Sequence, residues 1–279
     1  MDRILFITDL YYVARGRTYY SEDLYLTEQL RRHFALSLCH PLDVLRFEES
    51  ADILLIRNAG PLKNFADRFN VLRQQAADGK IKMYNPHTAK GDMNGKDYLI
   101  QLTDENFPVI PTVEDSALVD KLPQVERYVI KPKDGADSIG FEILNKRALL
   151  SERKPKPGSM LIQPYIEFEY EVSFYFIDRE FQYAMYAPNK TERWKLTKYQ
   201  TTSEDVEFAR RFIEWNSLPY GIQRVDACRT ATGQLLLVEL EDLNPYLSLL
   251  DLDASTRDIF VSALVQSLEH ALTLDLSAV

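Results

Sequence analysis

The chain of 279 residues has only two cysteines, Cys39 and Cys228, far apart and without the spacing of metal ligands. That argues against a thiolate zinc site and fits a reducing, cytoplasmic compartment. No apolar run reaches the roughly 18 residues that a bilayer span requires. The opening Met1-Asp2-Arg3-Ile4-Leu5-Phe6-Ile7 reads as a strand rather than as a signal peptide. Positive charge is in short supply: 33 Lys and Arg against 42 Asp and Glu give a formal net charge of −9. Lysines interleaved with aromatics in a cluster are also missing. A polyanion would be repelled over most of such a surface, so nucleic acid is not an expected partner, whereas a small anion in a local basic pocket is compatible. Internal repeats and low-complexity segments are absent as well.

What is present is an ordinary globular composition, 46% hydrophobic and 27% charged. Over residues 1–85, strand candidates (ILFI, ALSLC, ADILLI, IKMY) alternate with helical segments beginning near Ser21 and in NFADRFNVLRQQAADGK. That alternation predicts a parallel sheet covered by helices. Beyond Pro86 the strands YVIKP, FEIL, MLIQPYI, EVSFYFID, EFQYAMYA, GIQRVDACR and QLLLVELE follow at short intervals, many joined by turns such as Asp178-Arg179 and Thr232-Gly233. This is an antiparallel α+β pattern, with helices expected at about 92–102, 203–216 and 256–273. The segment 152–159 reads as a surface linker.

Charge in the last strand pair is placed unusually. Period-two alternation puts Arg224 and Asp226 on one face of GIQRVDACR, and Glu239 and Glu241 on one face of QLLLVELE. A hairpin pairing Arg229 with Gln234 would set Asp226 opposite Leu237 and Arg224 opposite Glu239, with all four charges facing one way. Three unpaired carboxylates this close repel one another. A divalent cation such as magnesium, which takes hard oxygen ligands, would relieve them; Arg224 neutralising Glu239 on a solvated face is the plainer alternative. A second constellation is RYVIKPKDGADSIGFEIL, in which Lys131 ends a strand before a glycine-containing loop and another strand. Such a loop suits a flap over phosphates, with Lys131 as a point charge.

Taken in order, NPHTAKGDMNGKDYLIQLTDENFPVIPT, VIKPKDGADSIGF, MLIQPYIEFEYEVSFYFID and RVDACRTATGQLLLVELEDLNP resemble the ATP-grasp superfamily over about residues 1–255. The type most similar is the small carboxylate–amine ligase of D-cycloserine biosynthesis, where Glu-x-Glu replaces the commoner Glu-x-Asn. The resemblance implies a pre-ATP-grasp α/β domain (1–85) and a two-lobed α+β ATP-grasp domain (86–279, with lobes at about 86–165 and 166–279). It implies ATP and Mg2+ (or Mn2+) as cofactors. Lys96 and Lys131 match lysines that hold phosphates, and Gly135, Ser138 and Gly140 match the phosphate loop. Gln163, Pro164, Tyr165 and Ile166 match the hinge beside adenine, and Glu171 an acidic position near the ribose. Asp226, Glu239 and Glu241 match magnesium ligands, with Asn244 as the alternative if the register shifts. Arg224 matches an arginine facing the transferring phosphate, and Arg193 or Lys195 falls in a loosely similar phosphate-facing loop.

The implied activity is an ADP-forming ligase that joins a small carboxylate to an amine, amino acid or peptide through an acyl-phosphate. A nucleotide-binding regulator without turnover and a phosphotransferase are the alternatives. No membrane partner is expected, and a homo-oligomer remains open. The tyrosines of DLYYVARGRTYYSEDLY form either a pocket wall or a surface loop. His40 and His87 read as bystanders.

Overall fold

Strand β1 (Arg3–Ile7) is buried on both faces from Ile4 onward, as its unbroken apolar run requires of a central parallel strand. The computed structural model describes residues 1–14, 17–133, 140–150, 158–189, 192 and 195–275. A short antiparallel pair, β2 (Val13–Ala14) and β3 (Arg17–Thr18), leads into helix α1 (Tyr20–Leu30). Next come β4 (Ala35–Cys39), β5 (Ile53–Ile56), helix α2 (Ala66–Ala77) and β6 (Met83–Tyr84). The order β4-β1-β5-β6 is parallel throughout, as the alternation predicts.

Helix α3 runs over Tyr98–Asp104 and not from 92. Residues 92–94 form a separate tight turn, closed by the Gly95 amide on the Asp92 carbonyl (2.9 Å), and Gly95 at φ +82° takes the chain out of helical geometry before Tyr98. Strands β7 (Arg127–Pro132), β8 (Glu142–Asn145) and β9 (Met160–Pro164) form a three-stranded antiparallel sheet, with the short helix α4 (Lys146–Leu150) beside it. A five-stranded antiparallel sheet follows. It comprises β10 (Phe168–Ile177), β11 (Glu180–Tyr186), β12 (Thr197–Lys198), β13 (Ile222–Thr230) and β14 (Leu235–Glu241), in the order β12-β11-β10-β13-β14. Helix α5 (Ser203–Asn216) covers one face; its start is fixed by a capping box between Thr202 and Asp205.

The final helix α6 (Ala254–Thr273) returns to the beginning of the chain. Its Phe260, Leu264 and Leu268 share one core with Ile4, Phe6, Leu26 and Leu30, and with Tyr175 and Tyr183 of the five-stranded sheet. The sheets separate near residue 85, yet the core runs across that point. The loop after β5, through Asn58, Gly60 and Pro61, reaches a cavity that residues of the five-stranded sheet also line.

Candidate active site

The β13–β14 hairpin sets the chemistry. It turns at Thr230–Gln234 with Gly233 at φ +83°, and pairs Arg229 with Leu235, not with Gln234. Leu235 and Leu237 are buried in the core. Strict alternation from them would carry Glu239 into the same core. Instead the register shifts between Asp226 and Ala227, leaving Val238 as an extra residue. This bulge turns the rest of the strand over. Asp226 then lies opposite Glu239 and Arg224 opposite Glu241, which corrects the expected pairs with Leu237 and Glu239. All four charged side chains nevertheless reach one cavity of about 630 Å³. Glu171, Ser173 and Tyr175 of β10 line it as well.

Each carboxylate has a cationic partner. Lys96 Nζ stands 2.7 Å from Glu239 Oε1. Arg224 grips Asp226 with Nε (2.9 Å) and Nη2 (2.8 Å), reaches Glu241 with Nη2 at 2.5 Å, and donates through Nη1 to the Tyr246 carbonyl at 2.8 Å. Burial pushes Glu239 up, but Lys96 and Lys131 outweigh it and hold the carboxyl below its usual range. Burial lifts Glu241 to about 8 against the pull of Arg224, with Asp226 and Glu239 reinforcing the rise. Among the described residues, no three His, Cys, Asp or Glu side chains are arranged to hold an ion by themselves. The donor set is still three hard oxygen groups on neighbouring strands. It fits a divalent cation once Lys96 or Arg224 releases its carboxylate.

Lys131 is the last residue but one of β7; its side chain makes no hydrogen bond or ion pair among the described residues, and burial pushes its ammonium down to about 8 despite Glu239. Gly140 stands at φ +79°, where a Cβ would meet Pro132 Cγ at 2.8 Å, so a side chain there would collide with β7. Gly135, Ser138 and Arg193 lie outside the described residues. Gln163 is buried and donates to Thr112 Oγ1 at 2.8 Å, while Pro164 ends β9. The Tyr165 amide bonds Arg127 O (2.9 Å), and the Arg127 guanidinium stacks 4.1 Å over the Tyr165 ring. These residues and Ile166 are outside the cavity lining. Lys195 pairs at the surface with Glu192, 2.5 Å away. Asn244 lines the cavity while donating to Gly60 O at 3.2 Å.

Sequence reasoning missed the groups that hold these side chains. Asp242 accepts from the amides of Gly91 (2.7 Å) and Met93 (2.9 Å) and from Asn216 Nδ2 (2.9 Å). Asp92 in turn accepts from the amides of Asp242 (2.7 Å) and Leu243 (3.0 Å). This lock fixes the 91–95 turn, and hence Lys96, against the end of β14. Asp242 stands directly behind the two glutamates, so its position was a usable signal; Asp92 offered none. Also on the cavity lining, Tyr12 stacks on Tyr19 (5.6 Å) and Tyr19 meets Tyr246 edge-on (4.9 Å). The tyrosine-rich stretch therefore supplies a wall, although Tyr11 is exposed.

No family model matches the sequence, and no curated protein does. Solved structures do match. The crystal structure of D-cycloserine synthetase DcsG is 20% identical, with a TM-score of 0.69 over 95% of this chain and 99% of that one. D-alanine–D-alanine ligase from Bacillus anthracis, complexed with ATP, is 16% identical, with a TM-score of 0.69 over 98% of each chain. The ATP-grasp ligase PsnB, complexed with its minimal precursor, is 15% identical, with a TM-score of 0.66 over 95% and 98%. The chain thus has the fold shared by these ligases.

Proposed function

We propose that this chain, built on the ATP-grasp fold, is an ATP- and magnesium-dependent ligase joining a carboxylate to an amine, amino acid or peptide. The observation that carries the reading is the bulged hairpin that gathers Arg224, Asp226, Glu239 and Glu241, with Lys96, in one cavity. A site built for binding alone has no need of three carboxylates drawn together and neutralised by Lys96 and Arg224. Asp226, Glu239 and Glu241 would hold the metal, which when bound neutralises charge on the transferring phosphoryl group.

Lys131, whose side chain has no hydrogen-bond or ion-pair partner among the described residues, would meet phosphate oxygens, and Lys96 would exchange Glu239 for them. A substrate carboxylate oxygen attacks the γ-phosphorus, the bond to ADP breaks, and an acyl-phosphate results. The amine lone pair then attacks the acyl carbon; the carbon–oxygen bond to phosphate breaks, and the amine proton passes to the medium. Arg224, already presenting a guanidinium to oxygen anions, would steady the tetrahedral oxyanion. The tyrosine wall would face the body of the acid or of the amine.

The test is a screen of carboxylates for ADP release with ATP, Mg2+ and hydroxylamine in place of the amine. A hydroxamate supports the ligase. ADP with a stable phosphorylated product makes the protein a phosphotransferase, and ATP binding without turnover on any acid supports the regulatory alternative.

A further inference from the structure

Two buried charged residues take no part in the cavity. Glu22 and Arg57 are each 1% exposed, and neither lines it. Burying an ion pair is costly, and apolar side chains would join two packed elements equally well. What distinguishes this pair is what it holds. Arg57 Nη2 donates to the Pro245 carbonyl (2.8 Å) and to Glu22 Oε1 (3.3 Å). Glu22 Oε1 accepts the Leu247 amide and Oε2 the Leu249 amide, both at 3.0 Å. Asp23 adds a second carboxylate 4.0 Å from Arg57 Nε, and is itself held by Asn58 Nδ2 at 2.8 Å. The residues on both sides of Tyr246 are thus fixed by the N-terminal domain, and the Tyr246 carbonyl is left for Arg224 Nη1 at 2.8 Å.

That contact matters because of its chemistry. Among the described residues, every other hydrogen bond of the Arg224 guanidinium goes to Asp226 or Glu241, the carboxylates that a metal would claim. The Tyr246 carbonyl is the neutral anchor that stays available when they are claimed. We propose that Glu22 and Arg57 are positioning residues, which fix Arg224 through the 245–249 segment from across the domain boundary. The inference rests on reading Arg224 as the group that faces reacting oxygens.

The test measures exchange of the Arg224 Nε proton with water by 15N NMR, with the signal assigned by its loss in Arg224→Lys. Two clamp variants, Arg57→Lys and Glu22→Gln, are compared with Lys82→Met. Lys82 is a buried cation elsewhere, which donates to Ala271 O and Leu274 O at 2.6 Å. Exchange is expected to quicken about tenfold or more in either clamp variant that folds when Mg2+ and a non-hydrolysable ATP analogue are present, and by a smaller factor without them, where Asp226 still holds Nε. In Lys82→Met it should stay at the wild-type rate even where the melting temperature falls equally. Unchanged exchange in the clamp variants, or equal quickening in all three, overturns the proposal. Failure of the wild type to bind the analogue would count against the ligase reading instead, and the comparison without nucleotide still decides the clamp.

Discussion

Lys131 carries a charge that folding alone disfavours. Its ammonium is pushed down to about 8 by burial, with Lys96 adding to the cost and Glu239 only partly offsetting it. Such a residue serves a ligand better than it serves the empty protein. Lys131→Met should therefore leave the melting temperature without ligand unchanged or slightly raised. Loss of a charge-assisted phosphate contact should weaken ATP binding by about 10–100-fold, which calorimetry would measure. Normal ATP affinity, or a lower melting temperature, would contradict its assignment. The placement of Lys131 near a strand end was legible in the sequence, because the apolar run of YVIKP stops there. Arg57 was not, since nothing in ILLIRNAGP says that its guanidinium is buried against a carbonyl 188 residues away.

At the scale of elements, the decisive feature is the bulge at Val238. Alternation correctly put Arg224, Asp226, Glu239 and Glu241 on one face, yet through a register that the protein does not use. Both the turn and the bulge add a residue, and the two additions together return the glutamates to the expected face. Neither addition was readable, because QLLLVELE alternates convincingly without any bulge. Strands and helices with strong apolar periodicity were legible, with α5 matching its expected limits. The start of α3 was not, because the left-handed Gly95 ends the preceding turn, which Asp242 holds by accepting the amides of Gly91 and Met93. The same contact explains Gly91. A Cβ there would stand 2.7 Å from the Leu240 carbonyl and 2.6 Å from Asp242 Oδ2. Gly91→Ala should force the turn off β14, costing roughly 1–3 kcal/mol of stability in denaturant unfolding. ATP binding should weaken with it as Lys96 moves. Wild-type stability in this variant would show that the turn is not held so closely.

Across the whole molecule, one core joins the N-terminal sheet, α6 and the five-stranded sheet, and the Glu22–Arg57 pair is the charged seam within it. Burial raises Glu22 to about 7; Arg57 and the amides of Leu247 and Leu249 oppose the rise, and Asp23 adds to it. The unfolded chain releases that proton near the ordinary glutamate value of 4.5. Between about 4.5 and 7 the folded protein therefore holds more protons, and this group's contribution makes stability fall as pH rises, by at most about 1.4 kcal/mol per unit. Glu22→Gln should flatten that slope in urea unfolding across the window, and an unchanged slope would rule out Glu22 as its source. The central claim, that a carboxylate is activated on phosphorus within this cavity, has a more direct test. An acid that drives ADP release is labelled with 18O in both carboxylate oxygens and incubated with ATP, Mg2+ and its amine. The account predicts one labelled oxygen in each inorganic phosphate released, since the acyl-phosphate leaves its bridging oxygen on phosphorus. Unlabelled phosphate formed alongside ADP would mean that water attacked ATP directly, and would contradict it.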